Sequence, residues 1–172
     1  MKKRLEDMTL EELWNLFPIF LTTHKECWKN WFKEEQYRLT GILPMQKIVR
    51  ISHIGSTSVS TIYAKPIVDI LIEIIPDYNM KDIKDLIESN GYICMSESSS
   101  RLSLNKGYTV DGFEERVFHL HIRYVGDNDE LFFRDYLIDH PDVAKEYEKL
   151  KLDLWKKYEH NREDRKSTRL NS

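Results

Sequence analysis

The sequence predicts an α+β fold, a mixed β-sheet flanked by helices, and three observations carry that prediction. Apolar residues recur at helical spacing towards both ends of the chain, β-branched runs fill its middle, and glycine or proline punctuates the joins. With 172 residues, 41% of them hydrophobic and 12% aromatic, the chain has enough apolar material for one packed core but not for two full domains. One domain over residues 1–158 is therefore expected, followed by a polar tail over 159–172 in which no periodicity continues.

The elements follow in order. Thr9-Leu10-Glu11-Glu12 has the form of a capping box, and Leu10, Leu13, Trp14 and Phe17 continue at helical spacing until Pro18. A second helix is expected to start at Thr22 or Thr23, to carry Cys27, Trp28, Trp31 and Phe32 on one face, and to end at Gly41. Helical spacing makes that aromatic stripe core rather than a ligand platform. Ile48, Val49, Ile51 and Ile54 read as a strand that stops at the turn Gly55-Ser56-Thr57-Ser58. Ile67 to Ile75 is a nearly continuous apolar run, the pattern of a strand covered on both faces, broken only by Asp69 and Glu73. Asn79 caps a helix through Ile83, Leu86 and Ile87 that ends at Asn90-Gly91. Strands are expected at Tyr92 to Ser96, Arg101 to Lys106 and Glu115 to Tyr124, with Asp111-Gly112 as the last turn. Helices return at Asp129 to about Asp139 and after Pro141, where Val143, Tyr147, Leu150, Leu154 and Tyr158 recur every three or four residues.

Charge narrows the partners. With 29 acidic against 26 basic side chains the net charge is -3, so no general field draws the chain to a nucleic-acid backbone. No stretch approaches the roughly 18 to 20 apolar residues needed to cross a bilayer, and no apolar signal segment follows Met1-Lys2-Lys3-Arg4. A cytoplasmic protein without a membrane partner is expected. Cys27 and Cys94 are far apart and lack the neighbours of a metal or redox motif, so both read as core thiols.

The chemistry centres on Gly55, Ser56 and Asp69. A glycine lets backbone approach a phosphate closely, and a serine hydroxyl with exposed amides can then donate to its oxygens. Thirteen positions after Ser56, Asp69 interrupts an apolar strand, where an unpaired carboxylate costs several kcal/mol unless a cation or donor compensates. It can hold a divalent cation that bridges the phosphate oxygens. Glu73 shares its face about 13 Å away at strand rise, too far for one ion, and reads as a solvated or paired strand-end residue. In Phe118-His119-Leu120-His121-Ile122 alternation puts both imidazoles on one face, where they can share a metal or grip an anion. His53, Lys65, Arg101, Lys106 and Arg116 would supply positive charge for a polyphosphate.

Four blocks in order resemble the GrpB family: His53-Ile-Gly-Ser-Thr-Ser-Val59, Ala64-Lys-Pro-Ile-Val-Asp-Ile70, Phe118-His-Leu-His-Ile122, and Phe133-Arg-Asp-Tyr-Leu137 before His140-Pro141. The resemblance runs from about Ile48 to Tyr158. It implies a nucleotidyltransferase-like fold, with Gly55 and Ser56 at the phosphates and Asp69 at magnesium (Mg2+). Enzymes of that superfamily carry two carboxylates one residue apart, whereas Leu71 stands in the second place here, and His119 or His121 is the candidate to fill it.

Two functions are carried forward. The first is a metal-dependent nucleotidyltransferase moving a nucleotidyl group from a nucleoside triphosphate to a small acceptor, with Asp69, His119 and His121 catalytic and Asp69 with His121 at the metal. In it His53, Gly55, Ser56, Thr57, Lys65 and Arg116 hold the triphosphate. The second is a binding module that grips a nucleotide or another phosphorylated small molecule without turning it over. A metal-dependent hydrolase at the histidines lacks a third protein ligand.

Overall fold

The computed structural model describes residues 1–157. Thr9 opens α1 (Leu10–Leu16) with a reciprocal capping box, its hydroxyl accepting from the Glu12 amide while the Glu12 carboxylate accepts from the Thr9 amide. The second helix, α2 (Cys27–Ile42), begins later than its threonines suggest. Thr22 is engaged elsewhere, exchanging two backbone hydrogen bonds of 3.0 Å with Ala64. Nor does Gly41 end α2: it sits exposed with open space around it, and the helix stops where Leu43, which precedes Pro44, turns extended.

Five strands form one mixed sheet in the order β1-β2-β5-β4-β3. They are β1 (Ile48–Ile54), β2 (Val68–Ile74), β3 (Ile93–Glu97), β4 (Arg101–Thr109) and β5 (Gly112–Tyr124). Only β2 and β5 run parallel, and α3 (Met80–Glu88) lies within the long connection between them. Asn79 caps α3 by accepting from the Lys81 amide, and Gly91, at φ 97°, carries the chain out of it.

Strand alternation gives the sheet two unlike sides. Val68, Ile70, Ile72 and Ile74 point with Leu120 and Ile122 to one side, where Trp28 and Leu39 of α2 and Ile83 and Ile87 of α3 cover them. None of these side chains touches solvent, and each such burial contributes about 1.5–3 kcal/mol. Asp69, Leu71 and Glu73 point to the other side, in register with His119, His121 and Arg123. There α4 (Asp129–Asp139) sets Leu131 against Ile54 and Leu71, and α5 (Pro141–Lys157) packs Ala144 with Leu137, Val59 and Ile62. Glu73 is no solvated strand end: it is fully buried, held by Arg50 Nε at 2.6 Å and Asn128 Nδ2 at 2.9 Å.

Cys27 and Cys94 are free thiols that pack against the core. Among the described residues no helix is long and apolar enough to cross a membrane. The expectations for Tyr158 and for the polar tail lie outside the described residues.

Candidate functional site

Because β1 runs antiparallel to β2, Ile54 stands beside Asp69 and the turn after β1 is laid against the carboxylate. Gly55 has φ 75° and ψ -176°, a conformation that side chains resist, and a Cβ on it would lie 2.5 Å from Asp69 Oδ2. The glycine is therefore needed twice, by the turn and by the aspartate. Ser56–Ser58 form one tight helical turn, closed by the Ser58 and Val59 amides, which donate at 3.1 Å to the carbonyls of Gly55 and Ser56.

Of the residues expected at the phosphates, His53 supports the turn from the apolar side of the sheet, while Thr57 lines the pocket in front of it. His53 projects towards α2, its ring stacked on Phe32 at 4.9 Å, and its Nε2 lies 2.8 Å from the hydroxyl of the buried Thr57. Burial lowers the His53 imidazole to about pKa 4, so it is neutral at neutral pH and brings no charge to an anion. The reason is alternation: His53 pairs with Ile70 on the apolar side, while its neighbour Ile54 faces the aspartate's side.

Asp69 is the partly exposed carboxylate of the open side, at 28%. Its Oδ1 lies 3.1 Å from His121 Nε2 and 3.7 Å from His119 Nδ1. The other nitrogen of His119 is 2.7 Å from the Tyr108 hydroxyl. Burial lowers the His119 pKa while the Asp69 charge pulls it back up. A neutral His119 meets both neighbours when Nδ1 carries the proton towards Asp69 and Nε2 accepts from Tyr108. Tyr108 had no role in the sequence pattern. Its signal was Gly107, at φ 100°, where the β4–β5 register shifts, since a glycine inside a strand marks such a bulge.

The turn, Asp69 and His119 form the sheet-side wall of a pocket of about 580 Å³. Lys65 and Ile67 line it from the loop before β2, Phe133 and Arg134 from α4, and Tyr147 and Lys151 from α5. Lys151 Nζ donates to Ser56 Oγ and stands 5.3 Å from the Tyr147 ring centroid, while Arg134 Nη1 donates to the His53 carbonyl at 2.9 Å. Three cations thus surround a serine hydroxyl and one carboxylate, an arrangement suited to an anion. Arg134 falls within the segment Phe133-Arg-Asp-Tyr-Leu137, and Lys151 is one turn beyond Tyr147 on the periodic face of α5.

Arg116 is not at the pocket. It lies on the apolar side of β5, an odd number of residues from His119, where it pairs with Glu34 and stacks 5.5 Å from the Trp31 ring. Lys106 and Arg101 are likewise engaged elsewhere, with Glu35 at 3.0 Å and with Asp127 at 2.8 Å.

The residues beside Asp69 do not fit a two-magnesium site. Magnesium takes oxygen ligands in near-octahedral geometry, and the place of a second carboxylate is held by Leu71, packed under Leu131. What approaches Asp69 is imidazole nitrogen, and among the described residues no three His, Cys, Asp or Glu side chains are arranged to hold a metal ion.

The GrpB protein family model matches residues 18–169. Bacillus subtilis YqkA is 34% identical over 151 residues, covering 84% of this chain and 43% of that protein. The glutamate-rich protein GrpB of Alkalihalophilus pseudofirmus is also 34% identical, over 81% of this chain and 83% of its own length. This chain thus spans less than half of one relative and most of the other. The crystal structure of GrpB from Enterococcus faecalis superposes with a TM-score of 0.71 at 31% identity, covering 85% of this chain and 88% of that one. A poly(U) polymerase structure bound to magnesium and 3'-dATP aligns at a TM-score of 0.40 and 12% identity, over 67% of this chain and 37% of that one, too distant to carry an argument. The α+β mixed sheet flanked by helices is the fold observed, and the GrpB structure shares it. The chain belongs to the GrpB family.

Proposed function

We propose that this domain binds a nucleoside triphosphate, or another phosphorylated small molecule, through its phosphates in the pocket beside Gly55 and Ser56, and holds it without two-magnesium chemistry. One observation carries the reading: Ser56, Asp69, Lys65, Arg134 and Lys151 converge on a single pocket of about 580 Å³. The Ser56 hydroxyl and the turn donate to phosphate oxygens, and the three cations balance their charge. Asp69, held from behind by His121, sets the far limit of the anion.

Calorimetric titration of ATP with and without magnesium tests it. Saturable binding is expected in both conditions, weakened about tenfold or more in Lys151→Ala. Binding that vanishes without magnesium contradicts it.

A second reading, nucleotidyl transfer to a small acceptor, is favoured by the imidazoles that approach Asp69 at 3.1 and 3.7 Å. In that reaction the acceptor oxygen bonds the α-phosphorus, the bond to pyrophosphate breaks, and Asp69 takes the hydroxyl proton. Pyrophosphate released by the wild type and lost in Asp69→Asn selects it, and silence across a panel of sugar and alcohol acceptors selects binding alone.

A further inference from the structure

A second, smaller groove of about 220 Å³ adjoins the phosphate pocket, with Lys65 and Ile67 lining both. One wall is the segment Pro18-Ile19-Phe20, another is Lys65-Pro66-Ile67, and the start of β5 supplies Phe113 and Val117.

The wall segment is pinned along its length. Phe17 is buried between Tyr108 and Phe113, with ring centroids 5.0 and 4.9 Å away. The Ile19 carbonyl accepts from Trp155 Nε1 at 3.1 Å, and the Thr22 bridge to Ala64 closes the far end. Between these anchors Phe20 remains 45% exposed, an apolar ring held in place without being packed away. A preformed groove of this kind binds without the cost of ordering a loop.

Charge separates the two cavities. The larger is lined by Lys65, Arg134 and Lys151, whereas the smaller shares Lys65 alone of these and adds Glu115, on the strand face that carries Phe113 and Val117. A phosphate is drawn more strongly to the first than to the second, while a neutral ring bearing amino groups suits the second, since a carboxylate accepts from an exocyclic amine.

Resting on the phosphate reading above, we infer that the groove at Phe20 is the subsite for the aromatic base of a nucleotide whose phosphates lie at Ser56. The ligand class then narrows from any phosphorylated small molecule to a nucleoside polyphosphate, its base against Phe20 and Phe113.

The test compares ATP with inorganic tripolyphosphate by calorimetry on the full chain and on Phe20→Ala. Tripolyphosphate carries no less charge than ATP, so any excess affinity for ATP comes from the nucleoside. The expected result is ATP bound about tenfold or more tightly than tripolyphosphate, the excess lost in Phe20→Ala and tripolyphosphate affinity unchanged. Unchanged tripolyphosphate binding also shows that the variant is folded. Equal affinities in the wild type, or an ATP preference that survives Phe20→Ala, overturn the base subsite and leave the phosphate pocket standing. No binding of either compound overturns both.

Discussion

Asp69 and Glu73 lie on the same strand, on the same face, and have opposite surroundings. Glu73 has no exposed surface and is held by Arg50 and Asn128 under α4. Asp69 is 28% exposed, meets two imidazoles and a glycine turn, and opens on a pocket lined by cations. A buried charge with fixed, complete partners belongs to the scaffold, because it can only cost stability when disturbed. A partly solvated charge with titratable neighbours can change its partners, which a site requires.

The contrast can be broken by mutation. Removing Arg50 strands a fully buried carboxylate with Asn128 alone, so Arg50→Ala is expected to cost about 3 kcal/mol in urea unfolding while Asp69→Asn costs less than about 1 kcal/mol. Equal costs would erase the distinction between the two carboxylates. Gly55→Ala comes next: the positive φ and the approach to Asp69 predict a loss of about 1–3 kcal/mol, together with at least tenfold weaker ATP binding. A variant with wild-type stability would mean that the turn tolerates a side chain.

The third expected effect is on pH dependence. The His53 pKa falls from 6.5 in the unfolded chain to about 4 in the fold, and that of His119 is also lowered, both chiefly by burial. As pH drops from 6.5 towards 4 the unfolded chain takes up these protons first, so their contribution is complete above about 6.5 and is lost towards 4. Urea midpoints should decline across that window, with a shallower slope in His53→Gln. An unchanged slope would show that His53 is not held neutral. Smallest of all, Arg116→Ala should leave the urea midpoint and the ATP affinity at wild-type values, because its pair with Glu34 is exposed and on the far side of the sheet. A drop in affinity would return Arg116 to the ligand.

The sequence made the acidic half of the site legible and left most of the cationic half hidden. Asp69 stood out because an apolar strand has no ordinary use for a carboxylate, and the two-residue period put His119 and His121 on one face, where the fold sets both beside Asp69. The same period, applied to Arg116 and to His53 beside Ile54, separates them from that face. Lys151 and Arg134 reach the turn from helices 95 and 81 residues away from their partners, and nothing local to a lysine on an amphipathic helix announces such a contact. Among the elements, strands and capped helices were readable, because capping box, β-branched run and glycine turn are local signals. The start of α2 was not, since the bridge to Ala64 that occupies Thr22 is a long-range contact.

If an anion sits on the Gly55–Ser58 turn, amide chemical-shift mapping with inorganic pyrophosphate will register it there. Saturable shifts are expected at Gly55, Ser56 and Thr57, with smaller ones at Lys151 and Arg134 and none at Arg116 or Glu34. Shifts confined to the apolar side of the sheet, or none at millimolar pyrophosphate, would contradict it.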